Sequence, residues 1–307
     1  MQELTTVRQP PGRFVDVAGQ RIHVVDQGVG DPVLLMAALG SNWFDLDAIA
    51  WRLRARSRRV IRYDRPGYGF SDEPEPGHIP TLDGEIERMR AVLDAVGVDE
   101  PVVVVGHSLA SLYAEGFARA YPDRTAAVVM LDGSFVLMPW RVVPTAFRVA
   151  NAHRLIAVLR EVARRTDFRL HGRALLRARL LPQPPEGFGE AEQAWAEQLF
   201  GGTSMLLATL VENAAFPAIN GALRQMRKVT EIPPVPVVVV VALSGPSAWQ
   251  RLWRWKQQRY ARMLGGSIRA IRSRHFIVLD QPEALARIVD EVRALPRPFG
   301  GTTGPEN

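Results

Sequence analysis

The sequence predicts an α/β protein: a mainly parallel sheet with helices on both faces, interrupted by an all-helical insertion. Three observations carry this. β-branched runs such as Val102-Val103-Val104-Val105 alternate with segments of helical period, as in parallel sheets whose strands are buried on both faces. The alternation stops near residue 134 and resumes at 236, with only helical patterns between. The chain has 307 residues and 47% apolar content, enough to bury such a sheet.

Each element has its own local signal. Apolar and polar residues alternate over 14–16 and 21–26 around Gly19-Gln20, which reads as an antiparallel hairpin. A buried strand over 32–37 runs into Ala38-Leu39-Gly40-Ser41, then Trp43 and a helix over 46–56. A strand over 59–64 enters the turn Arg65-Pro66-Gly67-Tyr68-Gly69-Phe70-Ser71-Asp72, which we read as structural. The helix over 82–95 turns Ile86, Met89, Val92 and Leu93 inward and closes at Gly97. The valine strand then delivers Gly106-His107-Ser108-Leu109-Ala110 and a helix that ends near Pro122. A strand over 126–131 ends in Asp132-Gly133-Ser134. Helical patterns fill 146–165 and 191–200, with a loop at 182–189. A strand over 236–243, a helix over 248–264, a strand over 267–271 and a helix over 282–295 complete the alternation. The expected division is a core of residues 1–134 and 232–299, a helical insertion at 135–231, and a disordered tail at 300–307.

Composition narrows the class. There is no cysteine, which excludes disulfides and thiolate chemistry. Residues 1–13 are polar and carry no signal-peptide core, and the longest apolar run, 235–243, is too short to span a bilayer, so a cytoplasmic location is expected. The net charge is +6, almost all of it from arginine, scattered among acids as on a solvated surface. Arg160, Arg164, Arg165, Arg169, Arg173 and Arg177 in the insertion fit that description too. No metal-ligand cluster or phosphate loop is present, so no metal or organic cofactor is expected. Trp253, Arg254, Trp255 and Lys256 mix aromatic and basic residues, but on a helix expected to pack against the sheet, so nucleic acid is not an expected partner.

Strand, Gly-x-Ser-x-small and helix in succession describe a nucleophile elbow, although on this motif alone Ser108 could equally be a helix N-cap. A serine nucleophile needs a base. His275 follows the last strand on the same sheet edge, whereas His107, beside Ser108 in a tight turn, diverges from it and is assigned to packing. His23, His78, His153 and His171 lie on the hairpin, a loop or the insertion. The base needs a carboxylate. Residues 232–279 contain no Asp or Glu, and Asp132 ends the strand beside the elbow strand. Asp280, in Asp280-Gln281-Pro282-Glu283, is assigned to a helix-starting capping box.

These stretches together resemble an α/β-hydrolase with a helical cap. The resemblance runs from residue 14 to 295 and rests on the 32–40 strand and loop, the Tyr63 to Asp72 turn, the elbow, and Arg274-His275-Phe276 with the closing helix. It implies an eight-stranded-type sheet and a serine hydrolase with Ser108 as nucleophile, His275 as base and Asp132 as acid. The acid usually follows the 236–243 strand, where this chain reads Ser244-Gly245-Pro246-Ser247; some relatives carry it where Asp132 stands. The backbone N–H groups of Leu109 and, by position, Ala38 would hold the oxyanion. Relatives often have His-Gly where this chain has Met36-Ala37, and Ala restricts a backbone that Gly would free. The implied substrate is a small apolar ester-like molecule, with Phe135, Met138 and Trp140 as candidate pocket residues and Trp43 under the oxyanion loop. The alternatives are a C–C bond hydrolase, or a non-hydrolytic scaffold serving as a ligand-binding protein or lyase.

Overall fold

In the computed structural model, residues 9–133, 143–165, 183–201, 203–245 and 247–292 are described. Phe135, Met138, Trp140, His171, Arg169, Arg173, Arg177 and the 300–307 tail lie outside these residues.

The eight-stranded sheet has the order β1-β2-β4-β3-β5-β6-β7-β8. β1 (Arg13–Val17) and β2 (Gln20–Gln27) form the hairpin, and β2 pairs antiparallel with β4 (Arg58–Tyr63). From there on, β3 (Asp31–Met36), β5 (Val102–His107), β6 (Thr125–Leu131), β7 (Val237–Ala242) and β8 (Ser267–Ile271) all pair parallel. The valine runs of β5 and β7 sit in the interior of the sheet, where both faces are covered.

Alternate strand residues feed two cores. Leu34, Val102, Val104, Val128 and Val239 pack under α2 (Leu82–Ala95) and α3 (Ala110–Ala120). Val33, Val103, Val105, Val129 and Val238 pack under α1 (Asp47–Arg54) and the C-terminal helix. Each fully buried valine contributes roughly 1.5–3 kcal/mol relative to exposure.

Between β6 and β7 lie α4 (Thr145–Arg165), α5 (Glu190–Gly201) and α6 (Ser204–Val229). By length and composition α6 could cross a membrane. Here its Ala215, Ile219 and Leu223 are buried in the core shared with α3, and its first half packs toward Trp43 and Tyr68. α6 therefore packs on the core along both halves of its length.

One local expectation is corrected. A short α8 (Ile277–Asp280) precedes α9 (Pro282–Glu291), and Gln281, not Asp280, is the N-cap residue, with no side-chain cap. The Asp280 carboxylate turns back and accepts the Arg274 N–H at 3.0 Å. As expected, α7 (Ala248–Met263) packs on the sheet beside β7 and β8, through a buried face of Gln257, Tyr260 and Ala261, while Arg254 and Trp255 on its other side are exposed.

Candidate active site

β5, β6 and the loop after β8 all end on one edge of the sheet. Ser108 follows β5 with φ +55°, a left-handed conformation that costs a non-glycine residue about 1–3 kcal/mol. Its N–H donates to Leu131 O at 2.9 Å, and its carbonyl accepts the Ser111 N–H and hydroxyl. The turn is this tight because Gly106 lies against α3: a Cβ there would stand 2.4 Å from Ala110 O. The N-cap position of α3 is Leu109, with no side-chain cap bond, so the Ser108 hydroxyl does not cap the helix. It points to His275, whose Nε2 lies 2.9 Å from Ser108 Oγ.

His275 Nδ1 lies 2.6 Å from Asp132 Oδ2. Asp132 follows β6, also left-handed at φ +46°, and is buried. Its second oxygen, Oδ1, accepts the Ala242 N–H at 3.0 Å and the Trp253 indole N–H at 2.7 Å. The two donors on Oδ1 orient the carboxylate so that Oδ2 faces the imidazole. The structure thus brings together Ser108, His275 and Asp132 from three separate parts of the chain. The His275 side chain stays 43% exposed, open to a reacting molecule.

The loop carrying His275 is clamped from two sides. Asp280 holds the Arg274 N–H and guanidinium. His107 Nε2 lies 2.9 Å from His275 O, and since a carbonyl only accepts, this nitrogen carries the proton. His107 is fully buried, and burial followed by the nearby His275 pushes its pKa down to about 4. It is a neutral strut for the His275 backbone rather than a second base.

Ala38 and Leu109 stand where the two oxyanion donors were expected, after β3 and after the elbow. Neither N–H donates to a protein acceptor among the described residues. The loop from Ala38 is anchored by the Ser41 hydroxyl on Asp45 and by the Trp43 N–H on Asp64. Asp64 also holds His23 and the Phe70 N–H, and a Cβ at Gly69 would overlap its carboxylate. Asp64 and Gly69 thus brace the 64–72 turn, and the Trp43 ring packs against Trp195.

Sequence reasoning passed over Trp253, Arg65 and Glu212. Glu212 did leave a trace: a lone carboxylate between Leu210-Val211 and Ala214-Ala215 implies a buried, partnered charge. Trp253 left none, because an indole after β7 becomes a partner of Asp132 only through the folded chain. Among the described residues no His, Cys, Asp and Glu cluster could hold a metal ion.

The chain is 28% identical over 148 residues to a cis-3-alkyl-4-alkyloxetan-2-one decarboxylase from Shewanella oneidensis, covering 48% of this chain and 46% of that one. It is 30% identical over 131 residues to a 2-hydroxy-6-oxo-2,4-heptadienoate hydrolase from Pseudomonas putida, covering 42% and 46%. It thus spans about half the length of the curated relatives it matches. A crystal structure of Cfl2 from Burkholderia cenocepacia superposes with a TM-score of 0.65 at 23% identity, over 91% of this chain and 94% of that one. A family model matches residues 19–288, nearly the whole described sheet and its helices, and the chain belongs to the Alpha/beta hydrolase family.

Proposed function

We propose that this chain is a serine hydrolase of an ester or related acyl substrate. The observation that carries the proposal is the continuous hydrogen-bonded chain from Ser108 Oγ through His275 to Asp132, at 2.9 and 2.6 Å. In this scheme Ser108 Oγ attacks the acyl carbon while His275 Nε2 takes its proton. Asp132 holds the proton on Nδ1 and stabilises the imidazolium that forms. The N–H groups of Ala38 and Leu109 receive the developing oxyanion. His275 then returns the proton to the leaving group, and water hydrolyses the acyl-enzyme by the same steps in reverse. The helices of 135–231 act as the cap over this edge.

The Pseudomonas putida relative is named as a hydrolase of 2-hydroxy-6-oxo-2,4-heptadienoate. That likeness supports a second reading of the same machinery, attack on a ketone carbonyl with C–C cleavage, so a substrate panel pairs simple esters with vinylogous keto acids. The decisive experiment is intact mass after incubation with a fluorophosphonate. Wild type is expected to gain one adduct and Ser108→Ala none. A folded wild type that gains no adduct overturns the proposal.

A further inference from the structure

The Met36-Ala37 sequence raises the question of what sets the oxyanion loop without the glycine that relatives often have. A buried cluster beneath the loop answers it. Arg65 Nη1 donates to Ala37 O at 2.7 Å and Nη2 to Ala38 O at 3.1 Å. The same guanidinium meets the Glu212 carboxylate bidentately, at 2.9 Å through both Nε and Nη2. Glu212 also accepts the Tyr68 hydroxyl at 2.6 Å and the Tyr113 hydroxyl at 2.9 Å. All four side chains are buried, Arg65 at 4% exposure and Glu212 at 2%.

The peptide bond is planar and trans, so its C=O and N–H point in opposite directions. The C=O of Ala37 and the N–H of Ala38 belong to one peptide. With the carbonyl held by Arg65, the Ala38 N–H must face the other way. A flip of that peptide would forfeit a charge-assisted bond inside a dry core, where an orphaned donor is costly. The next peptide is held too, since Ala38 O takes both Arg65 Nη2 and the Ser41 N–H. Glu212 lies on α6, in the helical insertion, and Tyr113 lies on α3, the helix that starts at the elbow. One carboxylate thus joins the Ala38 loop, the elbow helix and the insertion.

We propose that Arg65 and Glu212 are positioning residues that aim the Ala38 N–H, so that the oxyanion hole forms only with α6 seated on the core. This rests on the serine-hydrolase reading for its chemistry, but the orientation of the peptide is independent of it. Neither residue touches the reacting atoms.

The test uses the full chain and three variants. Arg65→Lys keeps the charge but cannot span two carbonyls and a carboxylate. The double variant Arg65→Met with Glu212→Met removes both charges together, which avoids a stranded buried ion and keeps the fold accessible. Tyr113→Phe removes one donor to Glu212. Two readouts are taken beside far-UV circular dichroism and thermal melts. The first is amide hydrogen exchange of peptides covering 36–41. The second is the split between ground-state binding and reaction: product-acid affinity against the rate of fluorophosphonate labelling and the affinity of a trifluoromethyl ketone. The expected result is faster exchange at 36–41 in the Arg65 variants. Labelling is expected to slow by roughly 10–100-fold, less than the roughly 100–1,000-fold that follows outright removal of an oxyanion donor, with product affinity unchanged. Tyr113→Phe is expected to move both readouts in the same direction by less. Folded Arg65 variants with wild-type exchange at 36–41 overturn the proposal. Altered exchange with wild-type labelling and ketone affinity also overturns it. If wild type itself does not label, the serine-hydrolase reading falls, and the exchange data alone decide whether Arg65 orients the loop.

Discussion

Replacing Asp132 by Asn tests the proposed triad with almost no change in shape. Two N–H donors, from Ala242 at 3.0 Å and the Trp253 indole at 2.7 Å, converge on Oδ1. In the variant these donors hold the amide oxygen at that position. The amide nitrogen then faces His275 Nδ1, 2.6 Å away in the parent. A nitrogen that donates requires Nδ1 to accept, so the imidazole proton moves to Nε2. Nε2 is the atom facing Ser108 Oγ at 2.9 Å, and a protonated Nε2 cannot take the serine proton. The base is lost through its tautomer while the packing survives. Elsewhere such a substitution lowers turnover by about ten-thousand-fold, equivalent to about 5.5 kcal/mol at the transition state. The assay is the second-order rate of fluorophosphonate labelling, followed by intact mass, with urea unfolding as the control. We expect a fall of about that size and little change in stability. Labelling within about 3-fold of wild type would refute the assignment of Asp132, because some other group would then have to be keeping Nε2 unprotonated.

Three further outcomes follow from the same geometry. Trp253→Phe removes one of the two N–H donors on Asp132 Oδ1; a hydrogen bond to a charged group is worth about 1.5–3 kcal/mol, so labelling is expected to slow about 10-fold with the fold intact. His107→Gln keeps a donor near His275 O and cannot titrate. Wild-type His107 has its pKa pushed by burial from an ordinary 6.5 to about 4, so the unfolded chain takes up the proton first on acidification. Wild-type stability is fully present above pH 6.5 and falls by up to about 3 kcal/mol as pH drops to 4, and the variant lacks that loss; parallel urea-unfolding curves at pH 7 and pH 4 would contradict it. Gly106→Ala places a methyl 2.4 Å from the Ala110 carbonyl oxygen, a backbone atom that cannot swing aside, and is expected to cost about 3 kcal/mol in urea unfolding as well as slow labelling.

Local patterning alone located the sheet, because each strand and helix advertises its own period and its own cover. The β-branched runs matched β5 and β7, and the 82–95 periodicity matched α2 to the residue. Ser108, His275 and Asp132 were proposed as a candidate site from their strand-end positions, the absence of acids over 232–279 and the likeness to α/β-hydrolases, and the fold brings these three side chains within hydrogen-bond reach. Asp280 misled because a capping box and a loop brace use the same short motif; which one forms depends on where Arg274 lies.

What the tertiary structure decided is every contact between side chains distant in sequence. Arg65 and Glu212 are 147 positions apart, and Trp253 and Asp132 are 121 apart. Composition and period describe which face of an element is buried. They carry no information on which polar atoms meet inside, and that pairing orients the Asp132 carboxylate and the Ala38 peptide.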